Sequence, residues 1–373
     1  TFLHAGGEVI DVSDLSKVEV DVVLDGIVGT GLHGALRDHL ANLVEQINQS
    51  EAFVVAIDLP SGVLADTGEV IGSAVQADAT LTIGALKTGL LTGAGRGFVG
   101  TLDCIDIDVA YPDQEAIAHV LDYQDVAKTY PLFDDASYKY SRGVVGLHVG
   151  SVQYPGAALL AVQGALSSGV GMVRFDSPVA SQVIAEFPEV VLGLKDERVS
   201  AFAIGSGGSG SKNDLMELLN TEKPVVIDAH ALSYLIDSDV QQLLKHRKEQ
   251  GAVTVITPHE GEAKSLGFSG SNRMSIARDI AQTFHTIVVL KGPGTVIADA
   301  DGNVLIDLYG SNVLGTAGTG DVLTGLIAGT LATQQSPSIE TVAAAVAVHG
   351  LAGRTLPDGA TASDVAKAIL QVR

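Results

Sequence analysis

The chain has 373 residues, of which 46% are hydrophobic and 5% aromatic, and it is longer than one hydrophobic core usually sustains, so we expect two domains. Its 44 acidic and 22 basic residues give a formal net charge of -22, which repels phosphate backbones and anionic lipid. We therefore expect neither nucleic acid nor a membrane as a partner. The single cysteine, Cys104, excludes an internal disulfide framework and a multi-cysteine metal site.

The sequence starts at Thr1 with TFLHAGGEVIDV, which has neither an initiator methionine nor the pattern of a signal peptide. It begins as if inside a domain, so we expect that the amino-terminal part of the native chain is absent. The most apolar long segment, residues 155–173, is interrupted by Gln163 and Ser167 and indicates a buried helix followed by a strand. These observations predict a soluble cytoplasmic protein.

The first third alternates short apolar runs with glycine-rich loops, which is typical of a doubly wound parallel sheet. One helical pattern covers Leu36 to Gln49. The predicted strands cover Asp21 to Val28, Ala52 to Leu59, Ala79 to Ile83 and Leu102 to Asp108.

Polar side chains follow two of these strands. Asp25 ends the first strand, and Asp58 ends the second with Ser61 three residues later. Neighbouring strand ends that present carboxylate and hydroxyl groups can hold a cation or grip a ribose, and paired turn caps explain the spacing equally well. Lys87 and Arg96 lie in the glycine-rich stretch GALKTGLLTGAGRG, where they can offset the charge of an anionic ligand.

The composition changes between about Tyr111 and Tyr140, where charged residues, prolines and tyrosines replace the apolar runs. A segment of this kind is typical of a domain boundary. We predict domains over residues 1–112 and 125–373, joined by a linker over residues 113–124.

The second part also alternates strands and helices, which predicts a mostly parallel sheet. The first strand lies in RGVVGLHVGS and is followed by a long Ala-rich helix after Pro155. Further strands are predicted over Met172 to Phe175, Ala201 to Gly205, Val225 to Ala229, Ala252 to Thr257 and Thr286 to Lys291. Further helices are predicted over Asp239 to Gln250, Met274 to Phe284, Asp321 to Thr333, Ser338 to Leu356 and Ala362 to Val372.

The stretch LGTAGTGDVLTG, residues 314–325, places small residues and an acid before an apolar helix. Gly315, Gly318 and Gly320 give the backbone freedom, and the unpaired amides at the helix start favour an anion such as phosphate. Asp321 then stands where it can take a proton from an attacking hydroxyl. A helix-capping role for Asp321 explains the same short motif.

Two other strand ends carry polar groups. VVLKGPGTVIADADG places Lys291 at a strand end before a tight turn, where residues 292–295 can approach a nucleotide. TVITPHEGEAKSLG presents His259, Glu260 and Glu262 at the carboxyl edge of the sheet, where ligands of open α/β sheets bind.

This constellation resembles the ribokinase-like superfamily and, within it, the ADP- or ATP-dependent NAD(P)H-hydrate dehydratases. The matching motifs include VVIDAHALSYL, TPHEGEA, LKGPGTVIA and GTAGTGDVLTGLIAGTLA, in the family's order. The resemblance implies that Asp321 is the catalytic base. It implies a hydrate site formed with Asp321 by Ala157, Gly207 and His259, and a nucleotide site formed by Lys291, Gly292, Pro293, Gly294, Thr295 and Gly320.

The sequence departs from this family at two places. The usual Gly-Pro-Gly-Leu-Gly loop is replaced by GSGGSG, residues 205–210, which affects the expected contact of Gly207. An acid that is common two residues after the strand-end Asp228 is replaced by His230.

The motifs of the first third resemble the carboxyl-terminal part of the NAD(P)H-hydrate epimerase domain. This resemblance implies that Asp25 and Ser61 bind potassium and that Asp58 acts on the hydrate. It also implies that the substrate phosphates lie against Gly29, Thr30, Gly31, Leu32, His33, Gly34 and Ala35. The family's Asn-Asn-Gly-Gly-Asp loop, which supplies another potassium ligand, has no counterpart in the sequence. A separate chain or a further segment supplies it, or this half is inactive.

The resemblances together imply a bifunctional repair enzyme with two α/β domains, a Rossmann-like epimerase and a ribokinase-like dehydratase. Its substrates are NADH hydrate and NADPH hydrate, its cofactors are ADP or ATP with Mg²⁺ and K⁺, and AMP (from ADP) and phosphate are released. We also expect a homo-oligomer. The alternatives are a ribokinase-like small-molecule kinase and a non-catalytic protein that binds adenine nucleotides.

Overall fold

The computed structural model describes residues 3–11, 18–109, 116–130 and 133–372. The chain divides into two compact units, Thr1–Glu115 and Ala116–Arg373.

The first unit contains a parallel sheet with the strand order β1-β2-β3-β4. Its strands are β1 (Val22–Asp25), β2 (Phe53–Ile57), β3 (Ala79–Ile83) and β4 (Thr101–Ile105), and its helices are α1 (Asp38–Gln49) and α2 (Thr88–Leu91). The four predicted strands and the long helix are confirmed, and most are shorter than predicted because their ends run into turns.

The two faces of this sheet differ. On one face Val54 and Ala56 of β2 pack with Val44 and Ile47 of α1. On the other face the apolar side chains are exposed: Leu24 by 66%, Phe53 by 51%, Ile57 by 44% and Ile83 by 39%. Parallel sheets usually bury both faces, so the described residues leave this face without a covering layer.

The second unit is built on a ten-stranded sheet in the order β5-β14-β13-β12-β11-β10-β9-β6-β7-β8. Its strands are β5 (His119–Val120), β6 (Val144–His148), β7 (Met172–Phe175), β8 (Val191–Leu192), β9 (Ala201–Ile204), β10 (Val225–Ile227), β11 (Thr254–Ile256), β12 (Ile287–Leu290), β13 (Val296–Ala298) and β14 (Val304–Ile306). Its helices are α3 (Tyr123–Thr129), α4 (Pro155–Ser167), α5 (Ala180–Glu186), α6 (Lys212–Leu219), α7 (Ser238–Glu249), α8 (Glu260–Ser265), α9 (Arg273–Phe284), α10 (Thr319–Thr333), α11 (Ile339–Arg354) and α12 (Ala362–Val372).

The sheet is parallel from β8 to β12, and only β12, β13 and β14 pair in antiparallel fashion. The predicted mostly parallel sheet is therefore confirmed. β9 to β12 are fully buried and, apart from Thr254, apolar, because helices cover both faces of a sheet of this kind. Among the described residues, no helix is long and apolar enough to cross a membrane.

Glycines set the position of α10 against α4. A Cβ on Gly164 of α4 would lie 2.1 Å from the Val322 carbonyl oxygen, and one on Gly325 of α10 would lie 1.9 Å from the Ala161 carbonyl oxygen. Real Cβ atoms do not approach backbone so closely, so the two helix backbones touch only because these side chains are absent. The contact fixes the start of α10 beside the sheet.

Candidate active site

Four neighbouring parallel strands of the second unit end at one edge of the sheet. The residues that follow them are the loop 205–210 after β9, Asp228 after β10, Thr257 after β11 and Lys291 after β12. The carboxyl edge of an open α/β sheet is the usual place for a ligand. The motifs that sequence analysis selected separately therefore converge at this edge.

Asp228 lies at the centre of the edge and is 2% exposed. Its Oδ1 accepts hydrogen bonds from Thr257 Oγ1 at 2.7 Å and Lys291 Nζ at 2.8 Å. Its Oδ2 accepts from Ser206 Oγ at 2.8 Å and Thr324 Oγ1 at 2.9 Å. Burial alone would raise the pKa of this carboxyl, but the charge of Lys291 and the donated hydrogen bonds hold it below its usual value.

The side chain of Lys291, predicted to bind nucleotide, lies between two acids. Its Nζ is 2.8 Å from Asp228 Oδ1 and 3.9 Å from Glu262 Oε2. Burial would lower the pKa of Lys291, but the charges of these carboxylates raise it, so the side chain remains a cation. A Cβ on Gly320 would lie 3.6 Å from the same Nζ, which places the Lys291 charge at the start of α10.

Asp321 is the third residue of α10 and does not cap it. The residue at the N-cap position is Gly318, with φ +93°, and no side chain bonds to the free amides there. The capping interpretation of Asp321 is therefore wrong. Burial and the charge of Asp228 raise the pKa of Asp321 to about 6, against the opposing effects of the Ser206 hydroxyl and Lys291. A carboxylate with this pKa is suited to accept a proton near neutral pH.

The turn after β12 contains two glycines with positive φ. Gly292 has φ +142° and Gly294 has φ +65°, backbone conformations that residues other than glycine rarely adopt. The buried Arg273 supports this turn from below, donating from Nη2 to the carbonyl oxygens of Leu290 at 3.0 Å and Lys291 at 3.2 Å. The turn, the Lys291 charge and the first residues of α10 therefore lie side by side.

Gly207 and Ala157, both predicted to bind the hydrate, are brought together. A Cβ on Gly207 would lie 2.6 Å from the Cβ of Ala157, and Gly207 has φ +68°. The loop GSGGSG, which differs from the family's usual sequence, therefore still places a glycine against the start of α4.

His259, the third predicted hydrate residue, is the N-cap of α8. Its Nδ1 accepts from the Glu262 amide at 3.1 Å, while 59% of its side chain is exposed. His259 also forms an isolated parallel bridge with Lys291, whose amide donates to the Pro258 carbonyl oxygen at 2.9 Å. The imidazole is therefore fixed in orientation and still accessible to a ligand.

The predicted potassium ligands of the first unit meet at the ends of β1 and β2. Ser61 Oγ donates to Asp25 Oδ1 at 2.6 Å and lies 3.2 Å from the Val28 carbonyl oxygen, and both side chains are 1% exposed. Asp25 Oδ2 accepts from the Ser61 amide at 2.8 Å. Carboxylate, hydroxyl and carbonyl oxygens are the donors that hard cations prefer, so the residue types fit the ion.

Asp58 adopts φ +72°, which is uncommon for a residue with a side chain and often marks a functional site. Its carboxylate pairs with Lys87 and accepts from the Ile83 amide at 3.0 Å and Thr82 Oγ1 at 3.3 Å. Burial raises the pKa of Asp58, but the bonds from Lys87 and Ile83 outweigh it and lower the pKa. Lys87, expected to offset a ligand's charge, thus has a partner within the unit.

The predicted phosphate loop of the first unit leaves its glycines unobstructed. The Leu32 amide donates to the Gly29 carbonyl oxygen at 3.1 Å, which forms a turn, and Gly34 has φ +86°. A Cβ on Gly29, Gly31 or Gly34 would meet no atom within 4 Å. The described residues therefore leave space beside these three glycines.

Two family models match the chain. The model described as NAD(P)H-hydrate dehydratase matches residues 145–372, and the model described as YjeF-related protein N-terminus matches residues 1–89. The bifunctional NAD(P)H-hydrate repair enzyme of Mycobacterium tuberculosis (strain H37Rv) is 36% identical over 342 residues, which cover 89% of this chain and 69% of that protein. The chain belongs to this family.

Other relatives agree. The bifunctional NAD(P)H-hydrate repair enzyme of Escherichia coli (strain K12) is 33% identical over 377 residues, covering 95% of this chain and 71% of that protein. Among solved structures, the ADP/ATP-dependent NAD(P)H-hydrate dehydratase of Bacillus subtilis, co-crystallized with ATP/Mg²⁺, is 27% identical with a TM-score of 0.59 over 68% of this chain and 97% of that chain. A ribokinase-like superfamily protein from Enterococcus faecalis, 23% identical with a TM-score of 0.57, covers 70% of this chain and 97% of that chain and shows the shared fold. The predicted family and α/β fold class are confirmed.

Three residues of this site are not among those predicted from the sequence. The sequence marks Asp228 only as a strand end, and it assigns no role to Thr324 or Arg273. An acid directly after the apolar run VVI is the signal that identifies Asp228, because a charged residue at that point must face either a ligand or a buried partner. Thr324 lies one helical turn after Asp321, on the same side of α10.

Proposed function

We propose that this repair enzyme restores hydrated NADH and NADPH by two activities, with Asp321 as the catalytic base of the dehydratase and Asp58 as the acting residue of the epimerase. The observation that supports the first role is the position of Asp321. It lies at the start of α10 beside Lys291, and burial raises its pKa to about 6. A base of this strength next to an anion-binding turn suits transfer of a phosphoryl group to a hydroxyl.

The proposed reaction begins with the hydroxyl of the hydrated nicotinamide ring, which is a poor leaving group. Asp321 takes the hydroxyl proton while the hydroxyl oxygen attacks the terminal phosphorus of the nucleotide. The bond from that phosphorus to the bridging oxygen breaks, and AMP is the leaving group when the nucleotide is ADP. The lone pair of the ring nitrogen then expels phosphate. Loss of a proton from the adjacent ring carbon restores the double bond and the reduced cofactor.

Two features of the chain stabilise the negative charge on the transferring phosphoryl group. We assign this role to the amino-terminal end of α10, which begins at Thr319, and to the Lys291 cation beside Gly320. Magnesium, when bound with the nucleotide, supplies further neutralisation of the phosphates. Residues 291–295 hold the adenine nucleotide, and we propose ADP as the preferred one.

We place the hydrate and the nucleotide on different sides of Asp321. Ala157 and Gly207 meet at the start of α4, where a side chain on Gly207 would collide with Ala157, and we place the ring beside this pair. His259 has an accessible imidazole that its bond from the Glu262 amide orients. Nucleotide and hydrate thereby approach Asp321 from two different loops.

The first unit carries the epimerase role. Asp58, with its strained backbone and its Lys87 partner, is ionised and able to exchange a proton with the hydrate. Asp25 and Ser61 hold a potassium ion, and the loop from Gly29 to Ala35 binds the substrate's phosphates.

The variant Asp321→Asn tests the dehydratase role. Protein is mixed with NADH hydrate of both epimers, Mg²⁺ and either ADP or ATP, and the dihydronicotinamide absorbance is followed. We expect turnover to fall by about 10² to 10⁴-fold while nucleotide binding, measured by calorimetry, is retained. The control is Asp279→Asn, which removes an exposed carboxylate from α9 of the same unit. If Asp321→Asn and Asp279→Asn turn over equally, Asp321 is not the base.

A further inference from the structure

Asp228 is buried behind the proposed catalytic residues, and its carboxylate is saturated with bonds. Each carboxylate oxygen accepts two hydrogen bonds, from Thr257 and Lys291 at Oδ1 and from Ser206 and Thr324 at Oδ2. A carboxylate offers about four acceptor sites, so none remains for a ligand. Asp228 therefore acts on the chemistry only through its neighbours.

We propose that Asp228 is a positioning residue of the phosphoryl-transfer site: through its four hydrogen-bond donors it holds four ligand-carrying segments, including the helix of the base Asp321, in one geometry. This inference takes the roles of the ligand-carrying residues from the proposed function. The interaction between Asp228 and Asp321 can be measured without any substrate.

Two of the four donors place the hydrate side. Ser206 immediately precedes Gly207, and its hydroxyl reaches Asp228 at 2.8 Å. Thr257 lies two residues before His259, and its hydroxyl reaches Asp228 at 2.7 Å. The glycine loop and the imidazole are therefore held relative to one common anion.

The other two donors place the nucleotide side. Lys291 opens the nucleotide loop and is bonded to Asp228 at 2.8 Å. Thr324 lies one turn after Asp321 on α10 and is bonded to Asp228 at 2.9 Å. The base and the phosphate-binding turn therefore share the same anchor.

Burying a carboxylate is costly, and the cost is offset only by full pairing and hydrogen bonding. Asp228 meets this condition with one cation and three hydroxyl groups. A core asparagine would keep the size of the side chain but remove the charge and place an amide donor against hydroxyl and ammonium donors. The four donors around residue 228 therefore require a carboxylate at this position.

The charge of Asp228 acts on Asp321 in a defined direction. Burial and the charge of Asp228 raise the pKa of Asp321, whereas Ser206 and Lys291 lower it. Loss of the Asp228 charge also frees the Lys291 cation from its partner, and both changes lower the pKa of Asp321.

The remaining elements packed against α10 are compatible with this assignment. α4 contains no ionisable side chain. Among the described residues, Asp228 and Lys291 lie at strand ends and Glu262 lies on α8, while the elements that pack on α10 carry Glu340, His349 and Arg354 on α11, Asp364 and Lys367 on α12 and His148 on β6. Of these, Asp228 and Lys291 are the ones that shift the pKa of Asp321.

The experiment compares the titration of the Asp321 carboxyl in the wild type, Asp228→Asn and Thr324→Val. The chain is labelled with ¹³C at aspartate carboxyl carbons, and the Asp321 signal is assigned by its loss in Asp321→Asn. We expect the midpoint to fall by about one pH unit or more in Asp228→Asn. Thr324→Val removes one donor but keeps the Asp228 charge, so its midpoint should stay near that of the wild type.

A second measurement follows kcat/KM of the dehydratase against pH. In Asp228→Asn the acid limb of the profile should move to lower pH, and the rate at the optimum should fall because Asp321 is a weaker base. A merely structural role would lower the rate without moving the limb. If Asp228→Asn does not fold, the double variant Asp228→Asn/Lys291→Met buries no unpaired charge and carries the same test, with a smaller shift in the same direction.

A folded Asp228→Asn variant whose Asp321 midpoint equals that of the wild type overturns the inference. Failure of the proposed function gives a different result, since a wild-type chain without dehydratase turnover still shows the titration of Asp321.

Discussion

The contact between α4 and α10 predicts a large effect for Gly325→Ala. The new methyl carbon would lie 1.9 Å from the Ala161 carbonyl oxygen, 2.7 Å from its carbonyl carbon and 3.0 Å from its Cα. All three atoms belong to backbone, so no side chain can rotate away. The two helices must separate, which disturbs an interface of fully buried residues.

The magnitude follows from two opposing contributions. Replacing glycine by alanine inside a helix stabilises it by about 1 kcal/mol. Inserting a methyl group into a packed core costs about 1 to 3 kcal/mol, and more where backbone must move. Because this clash is with backbone, we expect Gly325→Ala to lower the free energy of unfolding by about 2 kcal/mol. Dehydratase activity should fall as well, since α10 carries Asp321.

The matched control is Gly156→Ala in α4. A Cβ at Gly156 would meet no atom within 4 Å, so this variant receives the helix stabilisation without a clash. Urea unfolding followed by far-UV circular dichroism gives the free energy of each variant, and equal m-values would show that the same transition is compared. If Gly325→Ala is as stable as Gly156→Ala, the two helix backbones do not touch and the reasoning is refuted.

Two other predictions concern protons and ions. Burial lowers the pKa of His349 to about 4, so below about pH 6.5 the unfolded chain binds a proton that the folded chain does not, and the free energy of unfolding falls with falling pH. In urea titrations between pH 7 and pH 4, His349→Gln should remove about 3 kcal/mol of this loss. If the free energy of unfolding depends on pH equally in the variant and the wild type, the burial argument is contradicted. KCl should raise the midpoint of thermal unfolding of the wild type more than NaCl at the same concentration does, and Ser61→Ala should abolish this difference. If the difference persists in Ser61→Ala, Ser61 is not a potassium ligand.

Elements with clear turn residues beside them were predictable from sequence. β3, β7 and α12 have the predicted bounds because each is a continuous apolar or amphipathic run between clear turn residues. The short helices α5, α6 and α8 were not predicted. They have seven, eight and six residues, and two helical turns are too few to show a period.

The candidate site was predictable only in part, for a similar reason. Asp321 and Lys291 lie in local motifs whose chemistry can be interpreted from neighbouring residues. The role of Asp228 depends on partners that are 22 to 96 residues away along the chain, and only the folded sheet brings them together. The strained backbone of Asp58 was also invisible, because a residue's φ value is set by its surroundings and not by its type.

The glycine contact between α4 and α10 also limits how the second unit can move. Helices that touch through backbone cannot slide past one another without unpacking, so α4 and α10 behave as one rigid body. Gly156 and Ala157 at the start of α4 and Asp321 at the start of α10 then keep a constant separation during turnover. Any closure around the ligands must therefore leave the distance between these two helix starts unchanged.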